Sequence, residues 1–229
     1  MDNKHQEVIM EQKTKSIVWD LPVRVFHWGI VVLMGGLWWT AEQGEMEWHQ
    51  ILAYVLAALL VMRWFWAAAG SQTAKFSDFI RSPKAVISYA LNRSPSPTLG
   101  HNPLGGYMVL ALMLMLTVQL VTGLFATDDI FTEGPLYAYV SSEQASWLTW
   151  LHKTNFTALQ IFIAAHILAV ILHQFKGDKL IQAMFSGKKL HDSALDSPKM
   201  KSAITAWVVL LIALGLLGYF LIWPIYQFM

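Results

Sequence analysis

Residues 147–175 read WLTWLHKTNFTALQIFIAAHILAVILHQF. At ~1.5 Å per helical residue this apolar stretch is long enough to cross a bilayer. It carries His152, His166 and His173, at intervals of 14 and 7 residues. Both intervals come close to whole helical turns, so a helix projects all three imidazoles from roughly one face. Ionisable groups inside a span are costly to bury and mark a functional position by default.

The rest of the chain has the same character. With 55% hydrophobic residues and a mean hydropathy of +0.44, it is far more apolar than an average soluble domain. Five stretches reach spanning length, at about 22–40, 48–69, 104–126, 147–175 and 203–223. Charge alternates between the segments that join them. The residues up to Arg24 hold four Lys/Arg, whereas 41–47 hold none and carry Glu42, Glu45 and Glu47. Lys75, Arg81, Lys84 and Arg93 follow the second stretch; Asp128, Asp129, Glu133 and Glu143 follow the third. Lys176, Lys179, Lys188, Lys189, Lys199 and Lys201 follow the fourth. The positive-inside rule then places the N-terminus inside and the C-terminus outside. The first 21 residues are polar and are read as a cytoplasmic tail rather than a cleaved signal peptide, with disorder expected up to about Lys15.

The absence of cysteine excludes disulfides, Cys-ligated iron–sulfur clusters, thiolate nucleophiles and covalently attached c-type haem. Any metal is left to His, Met or carboxylate. The first span opens WDLPVRVFHW, with Asp20 as helix cap, Pro22 in the first turn and His27 one turn beyond Arg24. The second opens EWHQ, with His49 at its outer edge and Arg63 near its inner end. Arg63 is open to two readings, snorkelling to headgroups or meeting an anionic cofactor group. Ser82-Pro83 starts a short capped helix at the inner surface, and Ser94-Pro95-Ser96-Pro97 breaks the chain. GHNPLGG (100–106) leads into the third span, with Asn102 as cap. That span has no histidine; Gly105, Gly106 and Gly123 permit close approach, and Gln119 is suited to an interhelical hydrogen bond. His5 and His191 are read as solvated. The fifth span has no ionisable residue and is read as a packing or partner-docking helix, reached through a flexible polar linker.

Depth sorts the histidines. Spans one and three run outward, two and four inward. His27 is then near the inner side, His49 and His152 near the outer side, and His166 ~21 Å further in than His152 at ~1.5 Å per residue. Two layers of two follow, His49 with His152 and His27 with His166. Each suits one haem iron held from opposite faces in a helical bundle. His173 is an alternative to His166, two turns nearer the cytoplasm. A zinc site needs three or four ligands at one level, and a proton relay would normally include intramembrane carboxylates, of which the span interiors have none. Arg24, Arg63, His101, Lys153 and His173 are candidate contacts for haem propionates.

Over about residues 17–190 the chain resembles the bacterial cytochrome b561 family, which includes the b-type subunits of nickel–iron hydrogenases. The resemblance is carried by VWDLPVRVFHW, His49 at the start of span two, GHNPLGG, and the histidines fourteen apart in span four, in order on successive spans. It implies an all-α membrane protein, a four-helix transmembrane bundle with two non-covalent b haems. The family's ligand pattern falls on His27, His49, His152 and His166, and so favours His166 over His173. It implies a multi-pass protein of the bacterial inner membrane that passes electrons between quinone and a partner. That partner would be a periplasmic c-type cytochrome or a hydrogenase-like membrane complex; no nucleic-acid partner is expected. The expected organisation is a tail (1–16), the di-haem domain (17–190), a cytoplasmic linker (191–202) and an additional C-terminal transmembrane helix (203–229). Two other readings compete: a stand-alone oxidoreductase, for example superoxide to quinone, and a haem-free membrane anchor.

Overall fold

The computed structural model describes residues 13–91, 100–128, 130, 132–192 and 196–227. The expectations for His5, Asp129, the 94–97 break and the side chain of His191 lie outside the described residues. Among the described residues, five helices are long and apolar enough to cross a membrane. They are α1 (Leu21–Gln43), α2 (Met46–Ala69), α5 (Pro103–Gly123), α6 (Ser142–Phe175) and the span that opens with α8 (Ile204–Leu217). The end carrying the Lys/Arg-rich segments is called inner below.

The helix starts follow local chemistry. Asp20 accepts from the Val23 amide, Ser82 from Ala85 between the single turn α3 (Phe76–Phe79) and α4 (Pro83–Ala90), and Asn102 from Gly105, each of these three caps with proline in the first turn that follows it. α6 begins five residues earlier than the apolar run, because Ser141 and Gln144 form a reciprocal capping box. At 34 residues it is ~51 Å long, well beyond the ~30 Å hydrocarbon core. The third span ends at Gly123 rather than 126. The chain folds back there, with Gly134 donating to the Ala126 carbonyl (2.8 Å) and Leu136 to that of Leu124 (2.9 Å). The returning loop is tied to α2 by Gln50 on the Glu133 carbonyl (3.3 Å) and to α6 by Thr149 on the Thr127 amide (3.0 Å). Trp38, Trp39, Trp48, Trp147 and Trp150 are exposed around this outer end, as an interfacial aromatic belt requires.

Packing divides the spans. α1 lies on α2, and α5 lies on α6; the two pairs meet across a sparser seam. α8 lies along the other side of α2, presenting buried Ala206 and Ala213, seven residues apart and small enough for close approach. It continues through a widened turn, Gly218–Ile222, into α9 (Trp223–Tyr226). Pro224 has no N–H to give the preceding turn, which accounts for the widening.

The residues before α8, expected as a flexible linker, are docked. The Lys201 ammonium donates to the Ala69 carbonyl (2.8 Å), its amide to Ser71 Oγ (3.0 Å), and the Lys199 amide to Gln72 Oε1 (3.1 Å). A cation on the last carbonyls of α2 also complements the helix dipole.

The tail departs from expectation in a second way. Lys13–Ile17 forms a strand, β1, antiparallel to β2 (Lys188–Asp192), with Lys13 opposite Asp192 and Ile17 opposite Lys188. The ribbon follows α7 (Leu180–Ser186) and ends on Gly187, whose carbonyl accepts from Val18 (2.7 Å) and Trp19 (3.1 Å). Gly187 has φ +75°, and a Cβ there would lie 2.6 Å from the Trp19 carbonyl oxygen. Gly187→Ala is therefore expected to cost about 1–3 kcal/mol, read as a lower thermal midpoint in detergent.

Candidate haem site

The histidines lie where the seam between the helix pairs is. On α6, His152, His166 and His173 are partly buried while the residues beside them in sequence are mostly exposed. The three thus share the stripe turned toward the other helices. His27 of α1 and His166 of α6 face each other with ring centroids 6.4 Å apart. At the other level His49 of α2 and His152 of α6 are electrostatic neighbours. Among the described residues no three His, Asp or Glu side chains gather as a metal cluster.

Each outer histidine is oriented through Nδ1. His49 Nδ1 meets the Leu37 carbonyl at 3.0 Å and Thr40 Oγ1 at 3.3 Å. His152 Nδ1 meets the Gln119 carbonyl at 2.9 Å and Thr122 Oγ1 at 3.2 Å. A ring N–H on a carbonyl fixes the tautomer and leaves the lone pair on Nε2, which at His152 meets the Gln119 amide nitrogen at 3.0 Å.

The inner layer is rich in donors. Buried nitrogens without a hydrogen-bond partner are Trp19 Nε1, Arg24 Nε, His27 Nδ1 and His101 Nδ1. Arg24 uses Nη1 on the Phe185 carbonyl (2.7 Å), and Trp28 stacks on Phe185 at 4.2 Å. His101 is packed between Trp19 (6.0 Å) and Phe79 (4.8 Å). Burial pushes it down to about 3, and the positive Arg63 adds to the effect, so it is a neutral imidazole at physiological pH. Gly106 allows this packing, since a Cβ there would lie 2.5 Å from the Phe79 carbonyl oxygen.

Arg63 does not reach the headgroups. It is 2% exposed, donates to the Ala74 carbonyl (3.2 Å) and lies over the Phe26 ring at 6.0 Å. His173 is at the inner mouth, 3.7 Å from Asp178, which also binds Lys189 at 2.9 Å. Lys153 is exposed beside the outer pair. Sequence reasoning missed Trp19, whose indole is 4% exposed, and the part played by Asn155. Asn155, one turn inward of His152 in an otherwise apolar stretch, was the available signal.

Residues 18–187 match the family model of prokaryotic cytochrome b561. The chain belongs to this family. It is 27% identical over 222 residues to the probable Ni/Fe-hydrogenase B-type cytochrome subunit of Rhodobacter capsulatus, covering 79% of this chain and 83% of that protein. It is 22% identical over 240 residues to the probable Ni/Fe-hydrogenase 1 B-type cytochrome subunit of Escherichia coli strain K12, covering 84% and 100%. It is 26% identical over 213 residues to the corresponding probable subunit of Cupriavidus necator, covering 75% and 86%. No solved structure matches the chain. As a cytochrome b561 the chain is a multi-pass membrane protein of electron transfer that uses b-type haem. Two observations here fit that cofactor. Metal–imidazole bonds run ~2.0–2.1 Å, so rings 6.4 Å apart span one metal ion. The unpartnered Trp19, Arg24 and His101 nitrogens suit the anionic edge of a macrocycle.

Proposed function

We propose that this cytochrome b561 holds two non-covalent b haems, the inner one between His27 and His166 and the outer one between His49 and His152. It passes electrons between membrane quinone and a redox partner at the outer face. The observation that carries this reading is the pairing of histidines at two levels across the seam of α1–α2 and α5–α6. A bound haem supplies one-electron chemistry at its iron. The chain supplies opposed imidazoles, an apolar wall that excludes water, and charge balance. Arg24 and His101, with Trp19, meet the inner propionates; Arg63 acts from behind them. His173 and Lys153 stand at the two mouths, where any contact with a propionate is peripheral. The relatives' names point to a hydrogenase-like complex as the partner, ahead of a c-type cytochrome. The protein sits in the bacterial inner membrane, and the charge pattern supports a cytoplasmic N-terminus and a periplasmic C-terminus.

Purified protein should give a reduced b-type spectrum and about two haems per chain. A single haem would reduce the proposal to one layer, and none would refute it. A reporter fused at either terminus tests the orientation; an externally accessible N-terminus would reverse it.

A further inference from the structure

Span α5 has no histidine, yet it engages both ring nitrogens of His152. The direction of each bond follows from one group, the Met115 carbonyl, which can only accept. Asn155 Nδ2 donates to it at 3.0 Å and, with its other hydrogen, to Gln119 Oε1 at 2.7 Å. The Gln119 amide nitrogen is thereby turned toward His152 Nε2, 3.0 Å away. Nε2 must accept, so the ring proton is on Nδ1. There it meets the Gln119 carbonyl at 2.9 Å and Thr122 Oγ1 at 3.2 Å. Thr122 gives its own hydrogen to the Val118 carbonyl at 2.7 Å, leaving lone pairs for the imidazole. Gly123 makes room for the ring, since a Cβ there would lie 3.0 Å from His152 Cε1.

We propose that the Thr122 hydroxyl and the Gln119 carbonyl are positioning groups of the outer site, which hold His152 as the Nδ1–H tautomer, and that the Gln119 amide, turned onto Nε2 by Asn155, gives way when iron takes that nitrogen. The inference rests on the reading of His152 as an axial ligand. The Nδ1 contacts are those that metal binding at Nε2 leaves in place. Acceptors on Nδ1–H make an imidazole a stronger donor and favour the ferric state. The inner layer is built differently, because His27 Nδ1 has no partner.

The test is a redox titration of purified holoprotein, with haem counted per chain, for Thr122→Val, Thr122→Ser, Asn155→Leu and His152→Ala. His152→Ala identifies the outer haem by its loss; retention of both haems would overturn the ligand reading and this inference with it. With that haem identified, Thr122→Val should raise its midpoint by the equivalent of about threefold in the ferrous/ferric ratio, ~28 mV at 59 mV per decade. The other haem should stay fixed, and Thr122→Ser should restore the shift. Loss of the outer haem alone in Thr122→Val, recovered in Thr122→Ser, supports the same role. Asn155→Leu, which leaves the Nδ1 contacts intact and only frees the Gln119 amide, should leave the outer midpoint unchanged. Unchanged potentials in Thr122→Val, an equal shift of both haems, or the same shift in Asn155→Leu would overturn the inference while leaving His152 a ligand.

Discussion

Replacing His49 by alanine is expected to halve the haem content, from about two per chain to about one, and His152→Ala is expected to remove the same haem. His27→Ala and His166→Ala should each remove the other. In the proposed two-haem arrangement both cofactors are non-covalent, because the chain has no cysteine for thioether attachment. Losing one of two axial bonds therefore leaves a cofactor held by one imidazole and packing alone. The layers are ~21 Å apart at ~1.5 Å per residue along α6, beyond the ~7–10 Å over which substitutions usually couple. The second haem should accordingly keep its spectrum. The double variants sharpen the pairing. His49→Ala with His152→Ala should look like either single change, whereas His49→Ala with His166→Ala should leave no haem. Haem counted against protein, with the reduced spectrum of what remains, decides between them. If His49→Ala and His166→Ala removed the same haem, the two-layer assignment would be wrong.

The span that decides this arrangement was legible because its signals are local. Intervals of 14 and 7 residues, proline after a cap, and alternating loop charge are short-range patterns, and the structure has His152 and His166 on one stripe of α6. What was not legible depends on residues far apart in the chain. Neither Lys13–Ile17 nor Lys188–Asp192 has an apolar alternation to mark it as a strand, and each becomes one only against the other. α8 is apolar all round, so no face announced that Ala206 and Ala213 would lie on α2. Asp20 was readable as a cap through one oxygen. Its other oxygen accepts from Trp66 Nε1 at 2.7 Å, 46 residues away. Gln119 was readable as an interhelical donor, but its orientation came from Asn155 on the neighbouring helix.

The Asp20 arrangement carries the second large effect. Asp20 is buried, accepts from the Val23 amide and the Trp66 indole, and is an electrostatic neighbour of buried Arg63 without forming an ion pair with it. Asp20→Ala removes a cap, worth ~1 kcal/mol. It also strands the indole donor and removes the nearby negative charge that offsets the buried Arg63 guanidinium. Leaving a buried donor unsatisfied costs about 1–3 kcal/mol, so with the cap a total loss of about 2–4 kcal/mol is expected. It should appear as a much lower thermal midpoint in detergent and poor accumulation in membranes. Arg63→Met should be milder, because the Asp20 carboxylate keeps both of its hydrogen-bond donors and methionine fills the space over Phe26. The double variant should be more stable than Asp20→Ala alone, since the uncompensated cation is gone. The same pair tests what Arg63 is for. If its main task is to balance Asp20, Arg63→Met lowers stability with both haems retained at unchanged potential. If it contacts an inner propionate directly, Arg63→Met instead loosens the His27–His166 haem selectively, and the double variant does not recover it.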